Sequence, residues 1–116
     1  MKLVVCGGRD YNEAEYMFGY LDAVVEHVLP KVTMVLLGAC PTGADQHAMR
    51  WAKYRNLGYK FFPADWDKHG RAAGPIRNRQ MAEEGDYLVA FPGGRGTQSM
   101  IGLARSHDLV VIEVTP

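Results

Sequence analysis

Four short segments combine glycine with arginine, threonine or a carboxylate in spacings that suit an anion. They are Cys6-Gly7-Gly8-Arg9-Asp10, Gly38-Ala39-Cys40-Pro41-Thr42-Gly43-Ala44-Asp45, Gly74-Pro75-Ile76-Arg77-Asn78-Arg79 and Phe91-Pro92-Gly93-Gly94-Arg95-Gly96-Thr97. In the last, the glycines let the backbone turn tightly and bring N–H groups against a ligand. The free amides and dipole of a helix starting there favour phosphate. Thr97 could cap that helix or give its hydroxyl to the phosphate, and Arg95 could clamp it. Gly7 and Gly8 would admit a ligand closely, with Arg9 making a forked contact. They do not form the GxGxxG dinucleotide fingerprint, so no NAD or other cofactor is expected.

Thr42 and Asp45 stand at capping-box spacing, which explains them structurally. The functional alternative makes Asp45 a ligand for a ribose hydroxyl or a catalytic base, with Gly43 allowing close approach. Arg77 and Arg79 cannot point the same way along a helix, so one of them is expected to enter the site. Lys68, His69 and Arg71 add positive charge nearby, and His69 is either a general acid or base or a solvated loop residue.

These loops need a scaffold, and the apolar pattern supplies one. Leu3-Val4-Val5-Cys6 and Thr33-Met34-Val35-Leu36-Leu37 read as buried strands stopped by glycine. Between them Met17, Tyr20, Leu21, Val24, Val25 and Val28 mark one face of a crossover helix that Pro30 ends. Ala44, Ala48, Trp51 and Ala52 mark a second helix, and Tyr59-Lys60-Phe61-Phe62 a third strand. The polar stretch from Ala64 to Gly74 reads as a lid or rim loop, followed by a helix from Pro75 to about Glu84. Tyr87 to Phe91 is a fourth strand, Thr97 to His107 a helix, and Leu109 to Ile112 the last strand.

Strands alternating with helices predict a parallel sheet covered on both faces, a Rossmann-like three-layer sandwich of about five strands. The common order 3-2-1-4-5 would set strands 1 and 4 side by side at the switch point, with the glycine loops at the C-terminal edge. Residues 1–116 are expected to form one domain.

Composition narrows the partners. Lysine plus arginine and aspartate plus glutamate number 13 each, so no overall field draws the chain to nucleic acid or an anionic membrane. The opening residues are broken by Gly7-Gly8 too early for a signal peptide or a membrane span, and a cytoplasmic location is expected. Cys6 and Cys40 lack the companions of a zinc site, so no metal is predicted and both read as reduced thiols.

Taken together, Cys6 to Tyr11, Gly38 to Asp45, Gly74 to Met81 and Ala90 to Thr97 resemble the SLOG superfamily, most closely the small YspA-like, cpYpsA-related proteins of bacteria and phages. The resemblance implies a Rossmann-like domain that binds a nucleotide or nucleotide-derived molecule such as an ADP-ribose, as a sensor or processor in conflicts between phages and hosts. It also allows a homo-oligomer. The site residues it suggests are Gly7, Gly8, Arg9, Gly43, Asp45, Arg77, Arg79 and Pro92 to Thr97.

Two further relatives point elsewhere. LONELY GUY phosphoribohydrolases carry PGGxGTxxE, whose glutamate serves cleavage of an N-glycosidic bond. Here Pro92 to Thr97 fit, but Met100 stands at the glutamate position and can exchange no proton. A hydrolase would need a substitute carboxylate such as Asp45. The DprA Rossmann domain binds single-stranded DNA and has an Arg-Asn-Arg sequence like Arg77 to Arg79. Neutral charge and the lack of an aromatic stacking platform argue against a nucleic-acid partner.

Overall fold

Strand β1 (Lys2–Cys6) is apolar at every position after Lys2, and both of its faces are buried. Side-chain alternation sends Leu3 and Val5 into one core and Val4 and Cys6 into another. A central strand needs this pattern when helices cover both faces. In β2 (Met34–Gly38) Val35 and Leu37 join the first core and Leu36 the second.

The computed structural model describes residues 1–115. Its remaining strands are β3 (Gly58–Phe62), β4 (Tyr87–Ala90) and β5 (Val110–Glu113), and all five pair in parallel in the order β3-β2-β1-β4-β5. The expected topology is the observed one, a single Rossmann-like α/β domain. Leu3 is level with Val35 of β2 and Tyr87 of β4, so the glycines that end β1 and β2 and the loop after β4 share one sheet edge.

Helices α1 (Ala14–Ala23) and α2 (Gly43–Tyr54) cover one face through Met17, Leu21 and Trp51. Trp51 is fully buried, and its indole N–H donates to Asp22 Oδ1 at 3.0 Å. Arg55 bonds the same carboxylate at 3.2 Å and Glu26 at 2.9 Å, clamping α2 to α1. After the short α3 (Trp66–His69), α4 (Ala73–Glu84) and α5 (Arg95–Ser106) cover the other face through Met81, Met100 and Ile101.

The periodicity misleads in two places. The first helix does not continue regularly to Val28, because residues Val24–Val28 form a π-helical turn in which Leu29 N–H bonds Val24 O at 2.7 Å. The extra residue shifts the helical phase. Leu29 is buried where Val28 was expected, and Val28 is exposed. The stretch from Ala64 to Gly74 is not an open loop: α3, capped by Asp65 accepting from Lys68 N–H, runs through a 3-10 turn into α4. That helix starts at Ala73 rather than Pro75, which leaves Pro75 in the first turn, where its missing N–H costs nothing.

Candidate functional site

The chain leaves β1 toward α1 on one face and β4 toward α5 on the other, so the sheet edge between them opens into a crevice. A cleft of about 1100 Å³ lies there. Its floor is backbone. Gly8 N–H donates to Pro92 O at 2.9 Å, and Phe91 N–H to Cys6 O at 2.8 Å, knitting the two glycine loops together. A β-carbon on Gly7 would lie 2.7 Å from the Ala44 β-carbon, which leaves no room for a side chain, and one on Gly8 would lie 3.2 Å from Pro92 O, a contact that fits only if the neighbouring loop gives by a few tenths of an ångström.

The loop after β2 supports this floor. Gly43 has φ +68° and packs against the carbonyls of Gly8 and Arg9, a placement that excludes any side chain. Gly8 O accepts from both Ala44 N–H and Tyr11 N–H at 3.1 Å, and Thr42 Oγ1 donates to Arg9 O at 2.9 Å. Gly43 is therefore a buttress outside the cleft lining.

These bonds also replace the capping box. Thr42 stands at the N-cap but makes no capping bond, and its hydroxyl ties the first loop. Asp45 Oδ2 instead accepts from Cys40 N–H at 3.2 Å.

Opposite, α5 begins at the N-cap Gly94 without a side-chain cap, and its first internal bond is Gln98 N–H to Gly94 O at 3.1 Å. The amides of Arg95, Gly96 and Thr97 therefore precede the helix's own hydrogen bonding. Thr97 lies within the helix, not at its cap. It is buried against Gly93 and lines the cleft. Gly94 and Gly96 also line the cleft, and β-carbons there would meet nothing within 4 Å.

The β2 end of the cleft carries charge. A β-carbon on Gly38 would stand 2.7 Å from Arg77 Nη1 and 3.1 Å from Asp45 Oδ2, so these groups converge over a position kept bare. Burial pushes the Asp45 carboxyl up to about 6, against the opposing pull of the Cys40 N–H and the Arg77 charge. Cys6 beneath them is pushed up to about 12 by burial, and the Asp45 charge adds to the rise. It stays a neutral thiol at physiological pH and is no nucleophile there. Both cysteines are free.

Of the residues singled out in the sequence, Gly7, Gly8, Arg9, Asp45, Arg77 and Pro92 to Thr97 meet in this cleft. Arg79 does not, since it is exposed and Arg77 is the arginine that turns inward. Lys68, His69 and Arg71 also lie outside the lining. Asn78, Tyr11 and Met81, which the quoted segments contain without a ligand-binding role, also line the cleft, and so does Tyr16, which sequence reasoning missed. Asn78 is only 5% exposed, and a polar side chain beside an inward arginine was the one available signal. Met100 is buried in the lining, so no carboxylate occupies the position of the phosphoribohydrolase glutamate.

Fold and site define a doubly wound α/β protein with a glycine-floored cleft at its switch point. The family model described as YspA, cpYpsA-related SLOG family matches residues 1–69. The chain is also 33% identical over 121 residues to the Gene 61 protein of Mycobacterium phage D29, covering 96% of this chain and 94% of that protein. The chain belongs to the YspA, cpYpsA-related SLOG family, whose membership points to a nucleotide-related small-molecule ligand. No helix among the described residues is long and apolar enough to cross a membrane.

Proposed function

We propose that the cleft binds a phosphorylated nucleotide-derived molecule of the ADP-ribose type, with its phosphates on the N-terminal turn of α5. The observation that carries this reading is the run of amides at Arg95, Gly96 and Thr97, which lack intrahelical acceptors and belong to residues that line the cleft beside the bare positions Gly94 and Gly96. Arg9, Arg77 and Arg95 line the same cleft and make no salt bridge to a carboxylate among the described residues. They supply the counter-charge, and the protein acts as a cytoplasmic sensor or sequestering protein for that molecule.

Thermal unfolding against mononucleotides, ADP-ribose, cyclic ADP-ribose isomers and cyclic dinucleotides tests the reading. A ligand at about a hundred times its dissociation constant stabilises the fold by roughly 2.7 kcal/mol, several degrees at the midpoint. A shift for one ligand, lost in Arg95→Ala and Gly94→Asp, is expected. No shift with any member of the panel overturns the reading.

One observation favours a second reading. Asp45 carries a carboxyl raised to about 6 in the cleft wall, which suits a proton-transferring group in cleavage of a nucleotide N-glycoside. Release of free base from the bound nucleotide, lost in Asp45→Asn, identifies this activity. Binding without release leaves the protein a binder.

A further inference from the structure

The three arginines of the cleft are not held alike. Arg9 and Arg95 are exposed, and no side-chain hydrogen bond fixes either one. Arg77 is half-buried. Its Nε donates to Asn78 Oδ1 at 2.9 Å, and its Nη1 donates to Phe62 O at 3.4 Å at the end of β3. The guanidinium thus lies across the ends of β3 and β2 with its outer edge over Gly38.

Asn78 is one of two buried polar residues of the described chain, and the other, Thr97, lines the same cleft. Its amide faces two ways. Oδ1 takes the Arg77 Nε proton, and Nδ2 donates to Gly96 O at 3.4 Å, inside the first turn of α5. The same side chain therefore touches the cation at the β2 end of the cleft and the first turn of α5, whose residues line that cleft. Burying an amide is unfavourable unless its polar atoms are partnered, and here the partners are the two ligand-facing devices rather than the core. Asn78 lies in the interior of α4, away from both of its ends, so neither contact is a helix cap.

We propose that Asn78 is a positioning residue that sets the Arg77 guanidinium before ligand arrives and locks it to the first turn of α5. The two then act as a single anion-binding unit joined through one side chain. This inference rests on the phosphate reading above and deepens it toward diphosphate ligands. Ordering a free arginine on binding costs affinity, and a pre-set guanidinium avoids that cost.

Calorimetric titration of the full chain with inorganic pyrophosphate at fixed salt provides the test, with Asn78→Ala, Arg77→Lys and the double variant. Lysine keeps the charge but has no Nε–H for Asn78 to hold. Each single change is expected to weaken pyrophosphate by about tenfold, the range of a hydrogen bond to a charged group. The double variant is expected to lose no more than either single one, because Asn78 acts through the guanidinium. A product of the two losses, about a hundredfold, overturns the proposal. So does unchanged affinity in Asn78→Ala.

Melting midpoints recorded alongside separate a merely structural role, which would lower the midpoint and leave the dissociation constant alone. That result also overturns the inference. If Asn78→Ala does not fold, Asn78→Ser, uncharged and too short to hold the guanidinium, takes its place. In its background Arg77→Lys must add no further loss of pyrophosphate affinity, and a further loss of about tenfold overturns the proposal. Failure of the unmodified protein to bind pyrophosphate overturns the inference. If ADP-ribose or a mononucleotide still shifts its midpoint, the broader phosphate reading survives.

Discussion

Two sets of glycines at one edge of the sheet do opposite things. Gly7, Gly43 and Gly93 face other backbone or side-chain atoms so closely that a β-carbon has no room, and at Gly8 a β-carbon fits only if its neighbours give way. Gly94 and Gly96 lie on the same loop and helix start with nothing within 4 Å of where a β-carbon would go. The first set builds the floor of the cleft, and the second leaves its mouth open to a ligand. Composition alone would count all six as one glycine-rich feature.

The largest effect that could break this contrast belongs to Gly43→Ala. With φ at +68° and the carbonyls of Gly8 and Arg9 against it, the new methyl group forces the buttress loop away. A loss of about 3 kcal/mol in urea unfolding is expected. A loss below about 1 kcal/mol would mean that the loop gives way easily and that Gly43 is no buttress.

Gly94→Asp should split stability from binding. Aspartate suits an N-cap, so the unfolding free energy should stay level or rise by a few tenths of a kcal/mol, while its charge repels phosphate. Unchanged nucleotide binding in the folded variant would refute the role of this turn as the anion site.

Asp45 sharpens the comparison at the other end of the cleft. Its folded pKa is raised from 3.8 to about 6, so the fold binds the proton more tightly than the unfolded chain does. The resulting stabilisation is complete below pH 3.8 and is lost as pH rises through about 6. Asp45→Asn, which cannot ionise, should therefore gain about 1–2 kcal/mol over the parent at pH 7.5. At pH 3.5 the gain should vanish, and urea titrations at the two pH values decide it. An equal difference at both would show that burial does not tune this carboxyl.

The smallest effects are expected at glycines outside the cleft lining. Gly19 in α1 and Gly102 in α5 have open space around them. Alanine at each should raise stability by about 0.5–1 kcal/mol through helix propensity. Loss instead of gain at either helix would show that bare space does not predict tolerance here.

The order of elements, their parallel pairing and the sheet edge on which the glycine loops meet were all readable in the amino-acid sequence. Apolar runs ended by glycine, alternating with helical periods, leave few other ways to bury both faces of a sheet. The meeting of Gly7-Gly8 with Gly93 to Thr97 followed from that order. Which side chains enter the cleft was decided only in three dimensions. Arg77 rather than Arg79 turns inward because of how α4 is rotated against β2 and β3. Asp45 accepts from Cys40 rather than completing a cap, and Thr42 is bound to Arg9 across 33 positions of chain. The phase shift at Val24–Val28 and the bridge made by Asn78 belong to the same kind, since each depends on a neighbour distant in sequence or on a local helical register that periodicity averages away. Local patterns carry the strands and helices; the rotation of one helix against the sheet, set by the packing of the whole core, decides which of its polar groups meet the ligand.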